Sequence, residues 1–133
     1  MTNEEGSDAR KALDAITGRI IGGALAIHST FGPGMLEKAY HDCLKIEFEF
    51  LEILYECQVH LPIEYRSRSI PRAYVIDFVV ENAVVLELKA VEKILPVHEA
   101  QVLTYMKLSG CRAGLLINFN AVPLSAGIRR FNL

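Results

Sequence analysis

Hydrophobic positions along this chain change period several times, and each change marks a new element. From about Ser7 to Ser29, Leu13, Ile16, Ile20 and Ile27 recur at helical spacing and predict a first helix. Gly22-Gly23 within it lowers helix propensity but allows another backbone to approach closely. Phe31-Gly32-Pro33-Gly34 breaks the pattern. A second helix is expected from about Met35 to Leu51, burying Leu36, Ala39, Tyr40, Cys43 and Leu44. The period then falls to two. Ile53, Tyr55, Cys57, Val59, Leu61, Ile63 and Tyr65 alternate with Glu56, Gln58, His60 and Glu64, the pattern of a long, half-buried strand.

Arg66 to Pro71 reads as a polar loop, followed by strands over Ala73–Val80 and Val84–Lys89, joined at Glu81-Asn82-Ala83. In that hairpin Phe78, Val80, Val84, Leu86 and Leu88 form one apolar face. Val75, Asp77, Val79, Val85, Glu87 and Lys89 form the other. A three-residue connection sets Asp77 opposite Glu87, whereas a two-residue turn would put them on opposite faces. The former is expected. A third helix, Val97 to Leu108, stops at Ser109-Gly110. An apolar strand comes next within Cys111 to Phe119, and a short last strand at about Gly127 to Phe131. A strand–helix–strand crossover of this length implies parallel pairing. The order predicts an α/β fold, a mixed sheet flanked by helices, and 133 residues fit one domain over 1–133.

Three charged residues interrupt the apolar strands: Asp77 in Tyr-Val-Ile-Asp-Phe-Val-Val, then Glu87-Leu88-Lys89. Charge in such positions is costly unless paired or bound to a metal. Asp77 and Glu87 offer oxygen ligands suited to Mg²⁺, and Lys89, on the same face as Glu87, can orient a nucleophile or offset charge in a transition state. The bland alternative is a surface Glu–Lys pair beside an edge-strand Asp. On the third helix His98, Gln101 and Tyr105 make a polar stripe, while Ala100, Leu103 and Met106 are expected to be buried. Such a stripe either faces the acids or is an ordinary solvated face. His98 taken alone is a partner to the acids, a phosphate contact or simply a helix-start residue. Glu37 shares a face with Tyr40 at i, i+3. It either adds a metal-ligating oxygen or complements the helix dipole. Gln58 and His60 receive no role.

A hydrophobic fraction of 51% argues against disorder. No apolar stretch reaches the roughly 18 residues that span a bilayer. The acidic start Met1-Thr2-Asn3-Glu4-Glu5 lacks the basic opening of a secretory signal. Cys43, Cys57 and Cys111, widely spaced in apolar surroundings, read as reduced core thiols of a cytoplasmic protein rather than a zinc site. The net charge of −2 is not that of a protein coated for nucleic acid. Basic residues do cluster at Arg66, Arg68 and Arg72 and at Arg129-Arg130.

Gly34-Met35-Leu36-Glu37-Lys38-Ala39-Tyr40 resembles the signature of the GxxExxY proteins, a bacterial group in the PD-(D/E)xK nuclease superfamily. The resemblance continues through Gln58, Asp77–Glu81, Glu87–Val91, Pro96–Gln101, Tyr105 and Gly114–Asn120. It implies a restriction-endonuclease-like αβββαβ core with an extra N-terminal helix, and Asp77, Glu87 and Lys89 as the catalytic set. Gln101 and Tyr105 resemble the Gln-x-x-x-Tyr motif of RecB-type exonuclease domains, which implies a place in the active site. Glu37 matches the N-terminal helix acid of those enzymes. Glu52 departs from the family, standing where a glycine is usual, and the Arg66–Arg72 segment is longer and more basic. The expectation is a Mg²⁺-dependent (or Mn²⁺-dependent) nuclease acting on DNA, with no membrane association. RNA lacks a supporting aromatic-rich motif. The competing expectation is a catalytically silent module of the same fold that works through a partner or as a homo-oligomer.

Overall fold

A computed structural model describes residues 3–133; Met1 and Thr2, the start of the acidic N-terminal segment, lie outside the described residues. The elements are α1 (Asn3–Phe31), α2 (Glu37–Phe50), β1 (Tyr55–Tyr65), β2 (Arg68–Val80), β3 (Val84–Lys89), α3 (Pro96–Ser109), β4 (Ala113–Asn118), a 3-10 turn (Leu124–Gly127) and β5 (Ile128–Asn132). The sheet runs β1-β2-β3-β4-β5. Only β3 and β4 pair in parallel, because α3 carries the chain back between them; the other neighbours are antiparallel. This is the mixed α+β, restriction-endonuclease-like architecture expected from the sequence, with α1 as the added helix. Among the described residues no helix is long and apolar enough to cross a membrane.

Two cores sandwich the sheet. On one face Ile20, Ala24 and Ile27 of α1 and Tyr40, Leu44 and Phe48 of α2 pack on Phe78, Val80, Val84, Leu86, Leu88, Leu115 and Ile117. On the other, Val102, Tyr105 and Met106 of α3 cover Leu61, Ile76, Val85 and Leu116. β3 and β4 are buried on both faces, so their runs are almost wholly apolar. α3 seats closely because Gly114 lies beneath it: a Cβ there would come within 2.7 Å of Met106 Sδ and 2.8 Å of Val102 Cγ1.

Several expectations are corrected. Leu36 is 80% exposed, since α2 begins at Glu37 and Leu36 is the extended residue before it. Phe48 takes the expected burial instead, one turn beyond Leu44. Ala100 is exposed and Leu103 half-buried. Ala100 sits about 200° around the helix from inward-facing Val102, so both cannot face the sheet. The three thiols are free, but only Cys111 is buried, with Cys43 and Cys57 half-buried. A Cβ on Gly22 would meet open space, and one on Gly23 only ordinary contacts with α2 side chains, so no backbone approach depends on that pair. The expected Arg66–Pro71 loop is a two-residue turn, Arg66-Ser67, with φ of 49° and 61°, and β2 continues through Pro71. Positive φ at both turn residues matches the twist of a tight hairpin.

Glu52 explains its own departure from the family. Ile53 N donates to Phe48 O at 2.8 Å and Glu52 N to Glu49 O at 3.2 Å, closing α2 as a Schellman motif with Glu52 in the left-handed position at φ 56°. A side chain there is strained in a way glycine is not. Glu52→Gly is expected to stabilise the fold by about 0.5–1 kcal/mol, read as a higher urea midpoint at unchanged slope. A lower midpoint would contradict this account of the cap.

Candidate active site

The β2–β3 hairpin sets the site. Val80↔Val84, Val79↔Val85 and Phe78↔Leu86 pair across the expected three-residue connection, so Asp77 and Glu87 are the next opposed residues. There the regular ladder stops and the side chains take it over. Asp77 N donates to Glu87 Oε1 at 2.8 Å, and Leu88 N donates to Asp77 Oδ2 at 2.9 Å. Each carboxylate thus grips the main chain of the opposite strand with one oxygen.

The reason lies one strand further out. Cys57 and Phe78 pack towards α1 and α2, but Val59 and Ile76 pack towards α3. The β1–β2 register is unchanged across this step: Cys57↔Phe78 is succeeded by Val59↔Ile76. Both strands therefore switch faces together at Gln58 and Asp77. Gln58 has a φ of 51°, a left-handed conformation that inverts strand alternation. This corrects one expectation: Val75 does not share the face of Val79, because the switch lies between them. It also explains why a charged residue sits here, since Asp77 stands at the seam rather than on either core face.

Burial and charge then act on the pair. Glu87 is only 4% exposed. Its burial first, and the neighbouring Asp77 carboxylate second, push its pKa up to about 8. Tyr105 is 3% exposed, and burial together with Glu87 and Asp77 pushes its phenol up to about 12. Tyr105 therefore lies within the field of the two acids. Gln101 Nε2 donates to Tyr105 Oη at 2.9 Å, leaving the phenol's own proton free to be donated. Lys89 ends β3, beside a cavity of about 490 Å³ lined by Tyr74, His98, Gln101 and Thr104. Among the described residues its ammonium is in no ion pair within 4.0 Å.

On the opposite side a cavity of about 430 Å³ is lined by Glu37, His41, Lys45, Gln58, Asp77 and Leu88, among others. Burial raises the pKa of Glu37; Lys89 opposes this and Asp77 adds to it, which locates Glu37 within the field of the site. It does not join the two strand acids as a third converging ligand, because among the described residues no three His, Cys, Asp or Glu side chains form such a group. Tyr40, its i+3 neighbour, points into the core instead. It is fully buried, stacks on Phe119 with ring centroids 4.3 Å apart, and donates its hydroxyl to Gly32 O at 2.6 Å.

His98 proves to be a helix-start residue. Its Nδ1 accepts from Leu95 N at 3.0 Å, while its own amide donates to Leu95 O at 2.9 Å. His60 is exposed on the edge strand. The structure adds two residues that sequence reasoning missed. His41 stacks on Phe78 at 4.3 Å and meets Gln58 through a 3.2 Å contact between Nε2 atoms; its spacing of i+4 from Glu37 was the available signal. Asn118, 4% exposed, accepts from Val91 N and donates to Val91 O, tying the segment after Lys89 to β4.

A family model for the PD-(D/E)XK nuclease superfamily matches residues 14–131. The chain belongs to that superfamily. No curated protein and no solved structure matches it. Asp77 and Glu87-Leu88-Lys89 fit the acid and (D/E)-x-K pattern of the superfamily's name, with Ile76 before Asp77 where the name has proline. Membership points to nuclease function and to contact with nucleic acid.

The buried pair has a measurable consequence without any substrate. Glu87 holds a proton in the folded protein that an unfolded chain releases near its ordinary value of 4.5. Stability is therefore fully present below that value and is lost as pH rises towards about 8. The slope is at most about 1.4 kcal/mol per pH unit for one proton. Glu87→Gln should flatten the profile and be the more stable form at pH 8. Urea unfolding between pH 5 and 8 checks this, and parallel profiles for the two proteins would refute it.

Proposed function

We propose that this protein is a divalent-metal-dependent nuclease that hydrolyses phosphodiester bonds in DNA, with Asp77, Glu87 and Lys89 at its centre. The observation that carries the reading is the exchange between Asp77 and Glu87. One oxygen of each is fixed on the opposing strand, and the two side chains face each other across the seam within hydrogen-bonding reach. Burial first, and the neighbouring Asp77 second, keep a proton on Glu87, and a cation between the two carboxylates would relieve both.

The donors fit a hard ion. Mg²⁺ accepts one or two carboxylates and completes its shell with water and phosphate, so Asp77 and Glu87 suffice without a third acid. Mn²⁺ takes the same oxygen ligands. Glu37, which lines a cavity with Asp77, would meet the ion through water. When bound, such an ion supplies Lewis-acid polarisation of the phosphoryl group and a more acidic water.

The remaining work falls to the protein's own groups. Lys89, free of ion pairing among the described residues, lies beside the acids, where it orients the attacking water or offsets charge growing on the phosphoryl oxygens. Tyr105 stays a neutral phenol throughout the physiological range and, with Gln101 holding its oxygen, presents a fixed donor to the same space. A cavity beside Asp77 and another beside Lys89 give a strand room to enter and leave.

A second reading has one specific observation in its favour. Ile46 (66% exposed) and Phe50 (79%), one turn apart on α2, and Leu54 (73%) just beyond it form an apolar surface suited to self-association. A catalytically silent oligomer would use that surface and ignore metal.

Purified protein should cut DNA with Mg²⁺ or Mn²⁺ and not in EDTA. Lys89→Ala and Glu87→Gln should each reduce the rate by about 100-fold or more, with circular dichroism and melting showing that both remain folded. Equal rates in variants and parent would remove the assigned roles. A parent that neither cuts DNA nor binds metal by calorimetry, yet has the mass of an oligomer, would establish the silent module instead.

A further inference from the structure

Past Asp77, β1 and β2 leave the sheet as a ribbon. Pairing runs from Leu61↔Tyr74, through a register shift between Leu61 and Ile63 that leaves Arg72 in a bulge, out to Tyr65↔Arg68, whereas β3 accompanies β2 only over Phe78–Val80. The outer ribbon is exposed, including Tyr65 (58%) and Ile70 (47%). It carries Arg66, Arg68 and Arg72 against a single acid, Glu64, in a chain of net charge −2. Among the described residues none of these arginines is in an ion pair. The Arg66 guanidinium rests over the Tyr65 ring, 5.9 Å from its centroid. Like charges held together on a projecting arm repel one another unless a polyanion faces them.

We propose that this ribbon is a duplex-DNA grip that lies in the major groove, its arginines on the flanking phosphates, and delivers a strand to the site at its root. The shape selects the ligand. The arm's two strands lie about 5 Å apart, a ribbon of the kind that enters a nucleic-acid groove. The B-DNA major groove, about 12 Å wide, admits such a ribbon. The major groove of A-form RNA is too deep and narrow for side chains to enter. A single strand asks for a track of stacking rings, and the outer ribbon offers only Tyr65. The arm is also continuous with the site. At its base Tyr74 meets Tyr105 edge-on at 5.7 Å and lines one cavity with Lys89 and Gln101. The delivery of a strand for cutting rests on the nuclease reading, whereas the grip on duplex DNA is separable from it.

The test is anisotropy in EDTA, so that nothing is cut, with fluorescein-labelled 20-base-pair DNA, the matching RNA duplex and single-stranded DNA, over about 50–200 mM salt. The parent should favour duplex DNA. The triple variant Arg66→Gln, Arg68→Gln, Arg72→Gln should bind it at least about 10-fold more weakly and flatten the log–log salt slope by about 2 to 3. The corresponding triple lysine variant should recover most of the affinity, and all three proteins should melt alike. Equal affinity and slope for parent and glutamine variant, or a parent preference for RNA or single strands, overturns the grip. Arginine-dependent binding without cleavage in Mg²⁺ leaves the grip standing and removes the nuclease reading. Cleavage of duplex DNA indifferent to the arginines does the reverse.

Discussion

Two hydrogen bonds across the end of the β2–β3 ladder organise the rest of this molecule. Where a main-chain carbonyl would continue the sheet, Glu87 accepts from Asp77 N and Asp77 accepts from Leu88 N. A charged side chain in a buried strand is costly unless its oxygens are used. Here one oxygen of each carboxylate satisfies the backbone, which fixes where the two side chains face each other. The site is therefore built into the sheet rather than hung on loops, which is the rigidity that positioned chemistry needs.

The helices close around that pair for reasons of packing. Gly114 lets α3 settle on β4, seating Tyr105 in the core within the field of the acids. Asn118 holds the segment that leaves Lys89, and Asn120 Oδ1 accepts from Gly34 N at 2.9 Å, so β4's end braces the turn before α2 as well. Tyr40 locks the same turn from inside through Gly32 O and Met35 N. Residues far apart in sequence thus fix where Glu37 stands relative to Asp77. The charge distribution obeys the same division: two buried acids face each other at the seam, and arginines in no ion pair among the described residues are carried outward on the ribbon. A small net charge conceals both.

The element order, the parallel β3–β4 crossover and the opposition of Asp77 to Glu87 were legible in the residues alone. Each depends on local periodicity and on a connection length, and those are written residue by residue. Asp77, Glu87 and Lys89 stood out because charge in an apolar strand has few bland explanations. Glu52 stood out as an oddity, and the α2 cap shows its cause in a left-handed backbone.

Features that depend on an interrupted period or on long-range neighbours emerged only once the chain was folded. The joint face switch at Gln58 and Asp77 defeats alternation, so Val75 could not be assigned correctly from parity. The rotation of α3 is set by the sheet beneath it, so Ala100 faces solvent and Tyr105 the core. His41 meets Gln58 only because α2 packs against the β1–β2 pair. Periodicity records which way a residue points along its own element; it contains no term for how two elements are turned against each other.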